Sequence, residues 1–167
     1  DKDSIPAMYW YASNLGKFAL ATSIFEAIKQ KDRIKAMMTF IKETEPGFFY
    51  SAPYRYFGSF YTKIPFPSGD EKLSKEHFEH AVKHHPEYLG TKVLYASLAL
   101  TKWKDKALFK KLLDEVVAFD LSSTPELLAE NRIEQRKARV LLDDLDTYFE
   151  YNERPRAAAR SVLRLVR

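Results

Sequence analysis

The chain has 167 residues, 46% of them hydrophobic and 30% charged, with 5 glycines and 8 prolines; this is one domain's worth of folding chain and excludes collagen-like, low-complexity and disordered classes. The formal net charge of +4 resides in residues 153–167, which hold five arginines against one glutamate, while residues 1–152 are neutral, so a clustered cationic face for nucleic acid is not expected. The absence of cysteine removes disulfides, zinc–thiolate sites, iron–sulfur clusters and cysteine nucleophiles, and no apolar run reaches the roughly 18 residues that span a bilayer.

The chain begins Asp1-Lys2-Asp3, which is not the opening of a signal sequence and points to a processed or trimmed start. From Ile5 to Lys29 the period is helical. Ala7, Tyr11, Asn14, Phe18, Ala21, Phe25 and Ile28 step by four and three, and Ile5, Met8, Ala12, Leu15 and Ala19 form a second apolar stripe. A helix apolar on two faces is expected between neighbours. A second helix is predicted from about Asp32 to Thr44, stopped by Pro46-Gly47. Phe48 to Tyr61 reads as a loop entering a short helix at Pro53, and the prolines and glycine of residues 64–69 exclude regular structure there. Further helices are predicted over Asp70–His85, Tyr88–Lys102 and Ala107–Phe119. A last long one starts at the capping-box pattern Ser123-Thr124-Pro125-Glu126 and runs to about Tyr151.

No window alternates apolar and polar residues as a strand does, so the class is all-α. The helices arrive as short-looped pairs. Phe78, Ala81 and Pro86 have the spacing of the second helix of a tetratricopeptide unit: a bulky knob, a small residue for close approach, and a helix stop. Met38, Ile41 and Pro46 repeat it, and Val116, Phe119 and Thr124 do so weakly. Phe57-Gly58, Tyr95-Ala96 and Leu15-Gly16 supply first-helix signals. The expectation is irregular tetratricopeptide-like hairpins closed by a long C-terminal helix, as a single domain over residues 1–152 followed by an Arg-rich tail, 153–167.

Three constellations are candidates for chemistry. His77, His80 and His84 share one helix face, where imidazoles at i, i+4 spacing could hold a metal. There is no HExxH pattern, and a solvated histidine stripe is the default reading, so no metal or other cofactor is expected. No phosphate loop, nucleophile elbow or triad spacing occurs, and no enzymatic activity is expected. Residues 48–61 concentrate 8 of the chain's 24 aromatics, with Arg55 among them. A helix of about three turns cannot bury rings on every side, and tyrosines suit an amphipathic groove, although interface packing is the alternative for each ring. The third is the last helix, where Asn131 and Gln135 fall on the inward stripe of Leu128, Ala138, Leu142, Leu145 and Phe149. Buried amides need partners. They either tie down the backbone of neighbouring loops or line a cavity with Asn14. The candidate ligand-binding set is therefore Tyr11, Tyr50, Tyr54, Phe57, Tyr61 and Tyr95 as apolar lining, with Asn14, Asn131 and Gln135 as polar fixing points.

The run Pro6-Ala7-Met8-Tyr9-Trp10-Tyr11-Ala12 leading to Asn14-Leu15-Gly16, then His77-Phe78-Glu79-His80-Ala81, and Asn131 to Gln135-Arg136-Lys137-Ala138-Arg139 with Leu141-Leu142, resembles the T-component family of tripartite ATP-independent periplasmic (TRAP) transporters over about residues 5–150. The resemblance implies a periplasmic tetratricopeptide-like lipoprotein that associates with the transporter's substrate-binding protein and binds or relays an apolar small molecule. It also implies a lipidated cysteine in an N-terminal extension of the precursor; neither lies within these 167 residues. The leading expectation is a non-enzymatic accessory protein that docks a periplasmic substrate-binding protein. The alternative is a general tetratricopeptide adaptor that takes a peptide or protein partner in its concave groove. A homo-oligomer is left open by both.

Overall fold

The computed structural model describes residues 1–65 and 68–149; the Arg-rich segment 153–167 and the end of the last expected helix lie outside them. The described residues contain helices and no strand, which is the all-α class. They group into two compact units, Asp1–Tyr56 and the part beginning at Phe57, within the span read from the sequence as one domain.

The first unit is a helical hairpin, α1 (Ile5–Thr22) and α2 (Ile24–Thr44), followed by the opening of α3 (Phe48–Lys63). The helix expected over residues 5–29 is broken at Ser23. That residue is extended (φ −171°, ψ 162°), and its hydroxyl accepts the Glu26 N–H at 3.1 Å. Ser23-Ile24-Phe25-Glu26 is thus a capping-box pattern that the apolar period hid, and α2 continues through the Gln30-Lys31 link expected between helices. Ile5, Ala12 and Ala19 of α1 and Ile34, Met38 and Ile41 of α2 are buried. Ala12 and Ala19 on this stripe are fully buried, and only this stripe of α1 is covered. The other one, Ala7, Tyr11, Asn14, Phe18 and Ala21, lies exposed, contrary to the expectation of a helix covered on two faces.

The second unit contains the rest of α3, α4 (Glu71–His84), α5 (Leu89–Leu94), a π-helical stretch at Tyr95–Leu100, α6 (Thr101–Trp103), α7 (Lys106–Ala118), α8 (Leu128–Asp143) and α9 (Leu145–Phe149). Asp70 and Asp105 cap α4 and α7, accepting the N–H of Leu73 and Leu108 at 2.9 and 3.1 Å. The segment expected as one helix from Tyr88 is continuous but widens to π geometry in its middle. The last expected helix differs at both ends. Residues Pro125–Leu127 form a 3-10 turn ahead of α8, with no side-chain cap from Thr124. The chain also breaks at Asp144, where Asp143 and Asp144 put two negative charges on a helix C-terminus.

The core of this unit centres on Phe78, whose ring stacks on Tyr95 at 4.7 Å with 10° between planes. A Cβ on Gly58 would lie 2.6 Å from the Phe78 ring, so α3 approaches α4 at a distance that only glycine allows. The Gly58 carbonyl accepts the hydroxyls of Thr62 (2.9 Å) and Ser74 (2.6 Å), which are themselves 2.8 Å apart, and this buried trio pins the α3–α4 pair.

Candidate functional site

The aromatic run of residues 48–61 is divided between the units, and its first part has an unusual backbone. Phe49, Tyr50 and Ser51 all adopt left-handed conformation, with φ of 44°, 55° and 58°. Each such residue costs about 1–2 kcal/mol relative to right-handed helix for an L-amino acid, so the turn needs support. Arg55 supplies it. Its guanidinium donates to the carbonyls of Tyr50 and of Phe49, the latter at 2.8 Å, and lies 5.7 Å over the Phe49 ring. The side chain is buried, and a planar fork of donors satisfies two carbonyls that left-handed geometry has turned away from any helical partner.

The turn delivers its rings to α1. Phe48 and Phe49 lie 5.4 and 6.1 Å from Tyr9, Phe49 lies 5.7 Å from Trp10, and Tyr50 lies 5.9 Å from Phe49, mostly in edge or tilted arrangements. These five rings form a continuous cluster that stays partly open: Trp10 is half exposed and the others are intermediate. Of the candidate set, Tyr50 belongs to it. Tyr11 is exposed on the next face of α1 beneath the Arg33 guanidinium, 5.2 Å from the ring centroid. Lys42 lies 5.9 Å over Tyr54, and Asn14 is exposed. Tyr9, Trp10, Phe48 and Phe49 lie outside the candidate set; the adjacent Tyr9-Trp10 pair, outside any buried stripe, is the signal the sequence holds for this cluster.

In the second unit, Phe57 and Tyr61 stack on each other at 6.2 Å, and both approach His77, at 5.3 and 5.7 Å. Phe57 is buried, as is Tyr95 beneath Phe78. Burial first, and then the carboxylates of Glu79 and Asp105, push the Tyr95 phenol well above its ordinary range, so its hydroxyl stays protonated. The amides of α8 are committed to backbone. Asn131 accepts the Leu89 N–H at 3.2 Å and donates to the Glu87 carbonyl at 2.9 Å. Gln135 donates to the carbonyls of Val116, Val117 and Phe119 at 2.9 to 3.2 Å, the C-terminal end of α7. Of the two roles open to them, fastening the neighbouring loops is the one these bonds fill. His80 and His84 stack at 3.9 Å, while Nδ1 of His77 and of His84 bonds the carbonyl four residues earlier. Among the described residues no group of three His, Asp or Glu side chains is placed to hold a metal.

A sequence profile described as TRAP transporter T-component matches residues 1–149. The chain belongs to the T-component family of TRAP transporters. No curated relative matches it. As a T-component it is an accessory part of a transporter system. Among its described residues no helix is long and apolar enough to cross a membrane.

Proposed function

We propose that this T-component docks the substrate-binding protein of its TRAP system on the open rings of the first unit, and that the same rings take an apolar or amphipathic ligand in passage. It does so outside the cytoplasm, without catalysis, on hairpins of irregular tetratricopeptide-like type, as the mature part of a lipid-anchored precursor. The observation that carries the proposal is the five-ring cluster of Tyr9, Trp10, Phe48, Phe49 and Tyr50. Three left-handed residues and a buried arginine hold Phe49 beside a half-exposed tryptophan and Tyr50 against Phe49. A core could be filled without such strain. Rings with an apolar body and a polar tip are the residue types that dominate recognition surfaces.

Trp103→Phe leaves Trp10 as the sole tryptophan and therefore as a reporter of this surface. Titration with the substrate-binding protein of the same transporter, and separately of delipidated protein with a long-chain fatty acid, is expected to change Trp10 emission saturably. Trp10→Ala with Tyr50→Ala should abolish retention of the substrate-binding protein on beads. No saturable response to either titrant overturns the proposal, and binding of extended peptides alone would favour the adaptor reading.

A further inference from the structure

The turn between α1 and α2, Thr22-Ser23, is flanked by exposed apolar side chains on both helices. Phe18 is 64% exposed, Leu20 51%, Ile24 52% and Phe25 80%. Phe18 and Leu20 are two positions apart on one helix and so point to nearly opposite sides, which a partner lying along a single face would not cover. From Phe18 to Ile28 there is one ionisable side chain, Glu26. Its carboxylate accepts Gln30 Nε2 at 2.8 Å and has Lys29 Nζ at 4.0 Å. The reversal uses a single residue, Ser23, whose N–H, carbonyl and hydroxyl are all hydrogen-bonded, to Ala19, Ala27 and Glu26; the Thr22 hydroxyl returns to the Phe18 carbonyl at 2.9 Å.

Lysines bound the apolar tip on both helices. Lys17 and Lys29 each lie six residues from Ser23, about 9 Å along a helix at 1.5 Å per residue. Lys31 and Arg33 follow on α2, and residues 17–35 hold five cations against two carboxylates in a body that is otherwise neutral or acidic. An apolar end about 9 Å tall, ringed by side chains that can snorkel, has the dimensions of an interfacial segment seated about 5–10 Å into the headgroup and acyl boundary. We infer that the α1–α2 tip seats in the surface of an anionic phospholipid membrane, with Phe18, Leu20, Ile24 and Phe25 among the acyl chains and Lys17 and Lys29 at the phosphates. This inference is independent of the docking proposed for the rings around Trp10, which lie at the other end of α1.

The full chain is tested by co-sedimentation with large unilamellar vesicles of pure phosphatidylcholine or of phosphatidylcholine with 30–40% phosphatidylglycerol, as an order-of-magnitude choice of surface charge. Binding is expected to the anionic vesicles, at least ten-fold weaker for Phe25→Asp and about five-fold weaker for each of Lys17→Gln and Lys29→Gln. Brominated lipids should quench Phe25→Trp in a background of Trp10→Phe with Trp103→Phe, and leave the emission of Trp103→Phe, in which Trp10 is the sole tryptophan, unchanged. Absence of vesicle binding, or binding insensitive to Phe25→Asp, overturns the inference. So does a Phe25-dependent dimer seen by light scattering without vesicle binding, which would make a second copy of the chain the occupant.

Discussion

Gly16 and Gly58 occupy interior positions of helices, and general propensity says that alanine should stabilise either site by up to about 1 kcal/mol. The structure separates them. At Gly16 an added methyl meets only Ile34 Cδ1 at 3.7 Å, an ordinary contact, so Gly16→Ala is expected to stabilise by about 0.5–1 kcal/mol. At Gly58 the methyl would lie 2.6, 2.7 and 2.8 Å from three carbons of the Phe78 ring. That ring is fully buried and backed by Tyr95, so it has no room to retreat. Overpacking of this kind costs about 1–3 kcal/mol; set against the propensity gain, the contacts to three atoms favour the upper half of that range. Gly58→Ala should therefore destabilise by about 1–2 kcal/mol, a fall in Tm of roughly 2–8 °C for a chain of this size. Urea unfolding of both variants gives the two signs directly. Phe78→Leu in the Gly58→Ala background should show a favourable coupling of about 1 kcal/mol, because it removes the obstructing ring atoms. A stabilising Gly58→Ala, or additivity with Phe78→Leu, would refute the close approach of α3 to α4.

Ala81→Leu, at a fully buried site, is expected to cost about 1–3 kcal/mol, while His80→Leu should cost little; equal tolerance in urea melts would contradict the burial pattern of α4. Asn131→Ala leaves the Leu89 N–H and the Glu87 carbonyl without their partner, and Gln135→Ala leaves carbonyls at the end of α7, each at a cost of about 1–3 kcal/mol. Arg55→Lys should lower stability by about 1–2 kcal/mol and change the near-ultraviolet circular dichroism of the aromatic cluster, since an ammonium cannot reproduce the fork across Phe49 and Tyr50; an unchanged spectrum would show that the turn stands without it. Burial, with nearby carboxylates second, raises Tyr95 and Tyr148, so the folded chain holds these protons after the unfolded chain has released them. Their contribution is complete below about pH 10 and declines above it, by up to about 1.4 kcal/mol per pH unit for each, and Tyr95→Phe should flatten that alkaline limb.

Local patterns settled most of the helices. Apolar periods of three and four, with Pro86 behind the end of α4, place α4 to α7 within one or two residues, because periodicity and helix stops act over a single turn. The inward stripe of α8 likewise put Asn131 and Gln135 inside, since burial follows helix phase. Their partners did not follow from it: Leu89 and Glu87 lie more than 40 positions away in the chain, and only the packing of α8 brings them into reach. The break at Ser23 was written in Ser23 and Glu26, but apolar residues continue across it, and a stripe does not reveal whether a neighbour will cover it. That same limit governs α1. Its two apolar stripes look alike in sequence, and the packing of α2 buries one and leaves Tyr11 and Phe18 exposed. The left-handed turn at Phe49–Ser51 has no local signal at all, because bulky residues disfavour that geometry; it is held by Arg55 from the following turn and by the rings of α1, and such support exists only once the tertiary structure has formed.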